Sequence, residues 1–232
     1  PIQMVFPHVL CIDIWDLVVG VCLGVAFTTY VFSILYTSVA ATLFILSTAP
    51  LIAALLAWRI LGERPSLTAV TAMTLSFIGV FLMVYEGLAM EKNLGNFLAL
   101  TSAIAFALML VATRGSKKTD VLTGTFLGGV VSGILGLLGA IIFSTGVAVS
   151  GHDVLISFVM GTFAIGLGIT FVTMAAPFVP ASEVSILVLL ESFLGPIWVW
   201  AILGEGLTSN ELIGGLLIFF SVILLSYKAR DI

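Results

Sequence analysis

The residue in this sequence best placed to do chemistry is a single acid, Glu191, about ten residues into an apolar run at 181–203. If that run crosses a bilayer, an ionised carboxylate near its middle costs roughly 2.5–3.5 kcal/mol or more. Such a group either exchanges a proton, grips a cationic or polar substrate, or stays protonated and bonds a neighbouring helix as packing glue. At 100° per residue Gly195 and Trp198 lie within about 40° of Glu191, so one helix face would carry a carboxylate, a gap and an aromatic wall. Glu183 stands two turns earlier and about 80° round the helix, at a helix start where a carboxylate also stabilises the N-terminal dipole.

The remaining polar groups are weaker signals. Tyr30, Thr48, Thr101, Ser102, Thr170 and Thr173 are hydroxyls inside apolar runs, and most could simply bond the carbonyl three or four residues back. His8 and His152 have no partner at metal-ligand spacing, and Cys11 and Cys22 are too few for a cysteine site. The sequence contains no P-loop, no His-Glu-x-x-His and no glycine fingerprint around Gly166-x-Gly168. No catalytic residue, metal or cofactor is therefore assigned, and an intramembrane enzyme is disfavoured against a carrier, receptor or scaffold.

Composition fixes the solvent. Apolar residues make up 61% of the chain and charged residues 9%, with a mean hydropathy of +1.30, whereas a soluble domain carries roughly a quarter charged residues. The partner is lipid, and nothing suggests nucleic acid. Since a helix needs about 20 residues to cross a bilayer, eight spans are expected, at 17–36, 38–61, 66–86, 95–113, 121–145, 154–176, 181–203 and 210–227. Gly124, Gly128, Gly129, Gly133, Gly136 and Gly139 crowd the fifth, where Gly129-x-x-x-Gly133 has the spacing of a helix-packing face. A homodimer through such a glycine-rich helix or a terminal one is open.

The chain also repeats itself. Trp58-Arg-Ile-Leu-Gly62-Glu63 returns 142 residues later as Trp200-Ala-Ile-Leu-Gly204-Glu205, and at the same offset Leu75, Phe77, Val80, Leu82 and Tyr85 meet Leu217, Phe219, Val222, Leu224 and Tyr227. Gly-Glu at these points reads as helix-stop punctuation, and the tryptophans as interfacial anchors. Basic residues set the topology: with eight alternating spans Arg59, Arg64, Arg114, Lys117, Lys118, Lys228 and Arg230 fall on one side, and Lys92 alone falls opposite. Basic loops favour the cytoplasm, which puts the C-terminus there. The two copies then have opposite orientations, with five spans per repeat. The expected architecture is an all-α polytopic bundle of inverted five-helix repeats, with residues 1–92 holding three spans of the first and 93–232 all five of the second. By this count two spans precede Pro1 and the whole has ten.

The pattern Ala49-Pro50-Leu-Ile-Ala-Ala-Leu-Leu-Ala-Trp58-x-x-Leu-Gly62-Glu63-Arg-Pro-Ser66, followed by Gly79-Val80, resembles the EamA-type transporters of the drug/metabolite transporter superfamily. The second half keeps Leu189-Leu190-Glu191 of that family's Leu-Leu-Glu-Pro, with Ser192 in place of the proline and Pro196 one turn on. The resemblance implies a ten-helix exporter or exchanger with a central cavity for a small metabolite, in a bacterial plasma membrane. By the same analogy the cavity is lined by the helices that hold the hydroxyls, so Tyr30, Thr48, Thr170 and Thr173 join Glu191, Ser192, Trp198 and Glu183 as candidate substrate-binding or coupling residues. Without a nucleotide site, transport would draw on a proton or ion gradient or on solute exchange.

Overall fold

A computed structural model describes residues 12–85, 93–116, 121–142, 150–188, 194, 197, 201–202 and 209–228. Every regular element among them is helical: α1 (Ile14–Tyr36), α2 (Val39–Leu46), α3 (Ala49–Leu61), α4 (Leu67–Val84), α5 (Asn93–Gly115), α6 (Leu122–Ile142), α7 (Gly151–Val159), a π-helical segment (Met160–Gly166), α8 (Leu167–Ala175), α9 (Ala181–Val188) and α10 (Ser209–Lys228). Short polar residues punctuate them. Asp13 caps α1 in a reciprocal box with Asp16, and the Ser38, Ser66 and Ser150 side chains accept from Ala41, Ala69 and Asp153 N–H to start α2, α4 and α7. Gly62 ends α3 at φ 72°, the left-handed backbone that the Gly-Glu punctuation requires.

Five stretches are long and apolar enough to span a bilayer among the described residues: Ile14–Tyr36, Ala41–Leu61, Asn93–Gly115, Leu122–Ile142 and Gly151–Ala175. Leu67–Met83 and Leu212–Leu224 are shorter apolar helices. The protein is thus an all-α polytopic membrane protein. The helices follow the expected spans to within a few residues, and the run at 181–203 is only partly described.

Small residues decide which helices touch. In α1, an added Cβ at Gly20 would fall 2.6 Å from Leu127 Cβ, and one at Gly24 2.6 Å from Val131 Cβ; in α6, one at Gly128 would fall 2.9 Å from Leu23 Cβ. Two Gly-x-x-x-Gly faces, Gly20/Gly24 and Gly124/Gly128, therefore bring α1 and α6 together in parallel. This moves the expected packing face: Gly129, Gly133 and Gly136 meet open space, because at 100° per residue they lie off the stripe that Gly124 and Gly128 turn toward α1. α5 packs antiparallel on an adjoining face of α1, where the Ser102 hydroxyl donates to Ala26 O at 2.8 Å and Ser33 to Gly95 O at 2.9 Å. α4 and α10 form a second antiparallel pair, with Ser76 and Ser221 hydroxyls 2.6 Å apart and a Cβ at Gly79 only 2.6 Å from Gly214 O.

Candidate functional site

A helix that carries solute through a bilayer must expose backbone or polar side chains somewhere along its length, so interruptions in the spans are the first places to look. The span from Val39 to Leu61 is interrupted. α2 stops at Leu46 and α3 restarts at Ala49 with Pro50 in its first turn, since a proline has no N–H to extend the incoming helix. The break falls about 12 Å along the span at 1.5 Å per residue. Two hydroxyls turn back on the helix end, Ser47 Oγ donating to Phe44 O and Thr48 Oγ1 to Ile45 O, both at 2.6 Å, onto carbonyls that the Ser47 and Thr48 N–H groups also reach. Thr48 is half-buried. The sequence pattern gave one continuous helix here, and Pro50 is the reason it is two.

The second interruption is the π-helical segment Met160–Gly166, centred in Gly151–Ala175, where Leu167 N–H donates to Thr162 O five residues back. Glycine permits the wider turn: a Cβ at Gly166 would sit 2.9 Å from Gly161 O. Single π turns inside α-helices recur at functional sites. Thr170 Oγ1 donates to Gly166 O at 2.7 Å just below it, and Thr173, fully buried, bonds Ile169 O, Thr170 O and the Thr125 hydroxyl of α6 at 2.9 Å. Both hydroxyls therefore serve their own helix first, and Thr173 also ties α8 to α6.

The third feature is a charged cluster at the end of the bundle where α3 and α5 stop. Arg114, in the last turn of α5, donates from Nε to both Glu63 oxygens, at 2.6 and 2.8 Å, and from Nη1 to Pro177 O at 3.3 Å. Glu183 occupies the first turn of α9, half-buried, within reach of Arg114's charge. Trp15 and Leu61 both approach Gly115, and Asp16 lies beside Thr113, Ser116 and Val121. The starts of α1, α6 and α9 and the stops of α3, α5 and α8 thus share one end of the bundle, which is the alternation that the basic residues demanded.

Glu63 is accordingly more than helix-stop punctuation, and the sequence analysis missed its partner. Arg114 entered only as a topology marker, although a basic residue closing an apolar helix is itself a cue for pairing with a nearby acid. Trp58 is exposed at the end of α3 with the Arg59 guanidinium 5.8 Å over its ring. Tyr30 is half-buried in α1. Glu191, Ser192, Trp198, Trp200, Gly204 and Glu205 lie outside the described residues. No group of metal-ligating side chains occurs among the described residues.

A family model described as the EamA-like transporter family matches residues 7–85 and 93–227. A search of curated proteins finds no match. A solved structure described as "Crystal structure of protein" superposes with a TM-score of 0.79 at 19% identity, covering 99% of this chain and 81% of that one. That likeness speaks to the fold alone.

Proposed function

The chain belongs to the EamA-like transporter family, a family of membrane transporters, and we propose from its geometry that it carries a small metabolite or drug-like solute by alternating access. The observation that carries this reading is the pair of mid-span interruptions, Ser47–Pro50 in one half and Met160–Gly166 in the other. Both keep right-handed helical backbone but depart from regular α-helical hydrogen bonding, and such irregularities inside helices recur at functional sites, as do the interrupted helices from which transporters build solute sites. The inverted-repeat arrangement, with halves at 1–92 and 93–232, is supported by the α4/α10 pair. Under the 142-residue offset Ser76 corresponds to Ile218 and Gly79 to Ser221. The observed contacts Ser76 with Ser221 and Gly79 with Ile218 exchange with one another, as a two-fold axis between the helices requires.

In this reading Glu191 couples transport to a proton or binds a cationic group, Trp198 walls the same face, and Tyr30, Thr48, Ser192, Thr170 and Thr173 stand on the helices around the cavity. The C-terminus and the Arg114 end face the cytoplasm of a bacterial cell. The test is counterflow of radiolabelled solutes in proteoliposomes, with and without a pH gradient. Saturable flux is expected, and Glu191→Gln is expected to abolish it or make it pH-independent. Unchanged, pH-dependent flux in that variant would remove Glu191 from the mechanism, and no flux for any solute would favour a receptor or scaffold.

A further inference from the structure

Given the alternating-access reading, we propose that Arg114 is a two-position latch on its end of the bundle, held by Glu63 in this state and passed to Glu183 when that end opens. The tie joins three chain segments that share no secondary structure: the loop after α3 through Glu63, the end of α5 through Arg114, and the turn before α9 through Pro177 O. One guanidinium bonds Glu63 and lies within charge range of a second acid, Glu183. Glu63 takes only the Nε edge, and Nη2 makes no hydrogen bond among the described residues, which leaves the fork that pairs best with a carboxylate unused. Glu183 is half-buried, and its side chain has no hydrogen-bond partner among the described residues, so Arg114 supplies the charge acting on it. A cation between competing anions on separately anchored segments has two discrete arrangements, the property a switch needs.

The packing behind the tie fits a seal that parts. Ala53, Ala57, Ala112, Ala176 and Ala181 are buried there with Val184, in a cluster that also holds the larger Met109, Leu110 and Val111; each alanine buries little area, so where alanines meet the ion pair adds a larger share of the hold. Arg114 and Glu63 are 20% and 34% exposed, partly shielded from water and therefore less screened than a surface pair. The seam can open when the pair lets go, and Glu183 prevents the guanidinium from being left unpaired as it does so.

The test uses a reporter at Ala176, fully buried beside Pro177. In the full chain carrying Cys11→Ser, Cys22→Ala and Ala176→Cys, labelling by a membrane-impermeant maleimide is followed in vesicles of known orientation. Glu63→Gln and Arg114→Ala are expected to raise the rate at least tenfold from the Arg114 side. The exchanged pair Glu63→Arg with Arg114→Glu is expected to return it to within about threefold. Glu183→Gln is expected to lower it about threefold or more, because the opening has lost its second partner. Gel filtration and melting temperature separate opening from misfolding, and where Arg114→Ala fails to fold, Arg114→Lys and Glu183→Gln carry the test. Labelling that ignores all of these substitutions would overturn the latch, and so would a Glu183→Gln rate equal to the parent's. Labelling needs no solute, so a failure to find flux would strike the transport reading and leave this result to be read by itself.

Discussion

α1 and the Gly151–Ala175 span use glycine for opposite purposes. α1 is a regular helix whose Gly20 and Gly24 let α6 approach until an added Cβ would strike Leu127 or Val131, and a third of its most apolar stretch is buried. None of the corresponding stretch of Gly151–Ala175 is buried. Its Gly166 makes room for the Gly161 carbonyl of its own helix, and the helix widens into a π turn. In one region small residues buy contact with a neighbour; in the other they permit a backbone irregularity that no described neighbour covers. The first makes the scaffold, and the second leaves a helix irregular where nothing described packs on it, so substitutions in the two should fail differently.

The contrast breaks most visibly at Gly24. Gly24→Leu overpacks the α1/α6 seam, a cost of about 1–3 kcal/mol or more, and is expected to remove most folded protein on gel filtration. Arg114→Ala comes next: losing a half-buried pair whose worth lies between the surface and buried limits costs about 1–3 kcal/mol, expected as a clear fall in melting temperature, with Arg114→Lys intermediate. Gly166→Ala sharpens the comparison, because its Cβ meets Gly161 O at 2.9 Å. It is expected to change folded yield less than twofold while cutting flux at least fivefold. The smallest effect belongs to Gly133→Ala, which meets open space and gains up to about 1 kcal/mol of helix propensity; its melting temperature should be unchanged or slightly higher. A Gly133→Ala loss as large as that of Gly24→Leu would mean that the two glycine stripes of α6 do the same work.

The spans were legible because hydropathy and the 142-residue repeat are properties of whole helices. The Gly62 stop was legible because Gly-Glu followed by Pro65-Ser66 leaves the backbone few choices. The packed stripe of α6 was not, since Gly124/Gly128 and Gly129/Gly133 have identical spacing and only the position of α1 separates them. The π turn was hidden for a similar reason: Gly161 and Gly166 five residues apart fit an ordinary membrane helix equally well. The Glu63–Arg114 pair joins residues 51 apart, and such pairing is set by how α3 lies against α5, which local pattern does not encode. Pro50 is plain in the sequence, and its consequence for the backbone of its own span is what the structure adds.

On the proposed function, the interruption at Ser47–Pro50 lies in a path open to each side of the membrane in turn. It is tested most directly by Thr48→Cys in a chain lacking Cys11 and Cys22, labelled with a membrane-impermeant maleimide from one face of the vesicle and then the other. Labelling from both faces, with the two rates moving in opposite directions when Arg114 is replaced by alanine, is the expected result. Labelling from neither face, or from one face only in every variant, would contradict alternating access through this site.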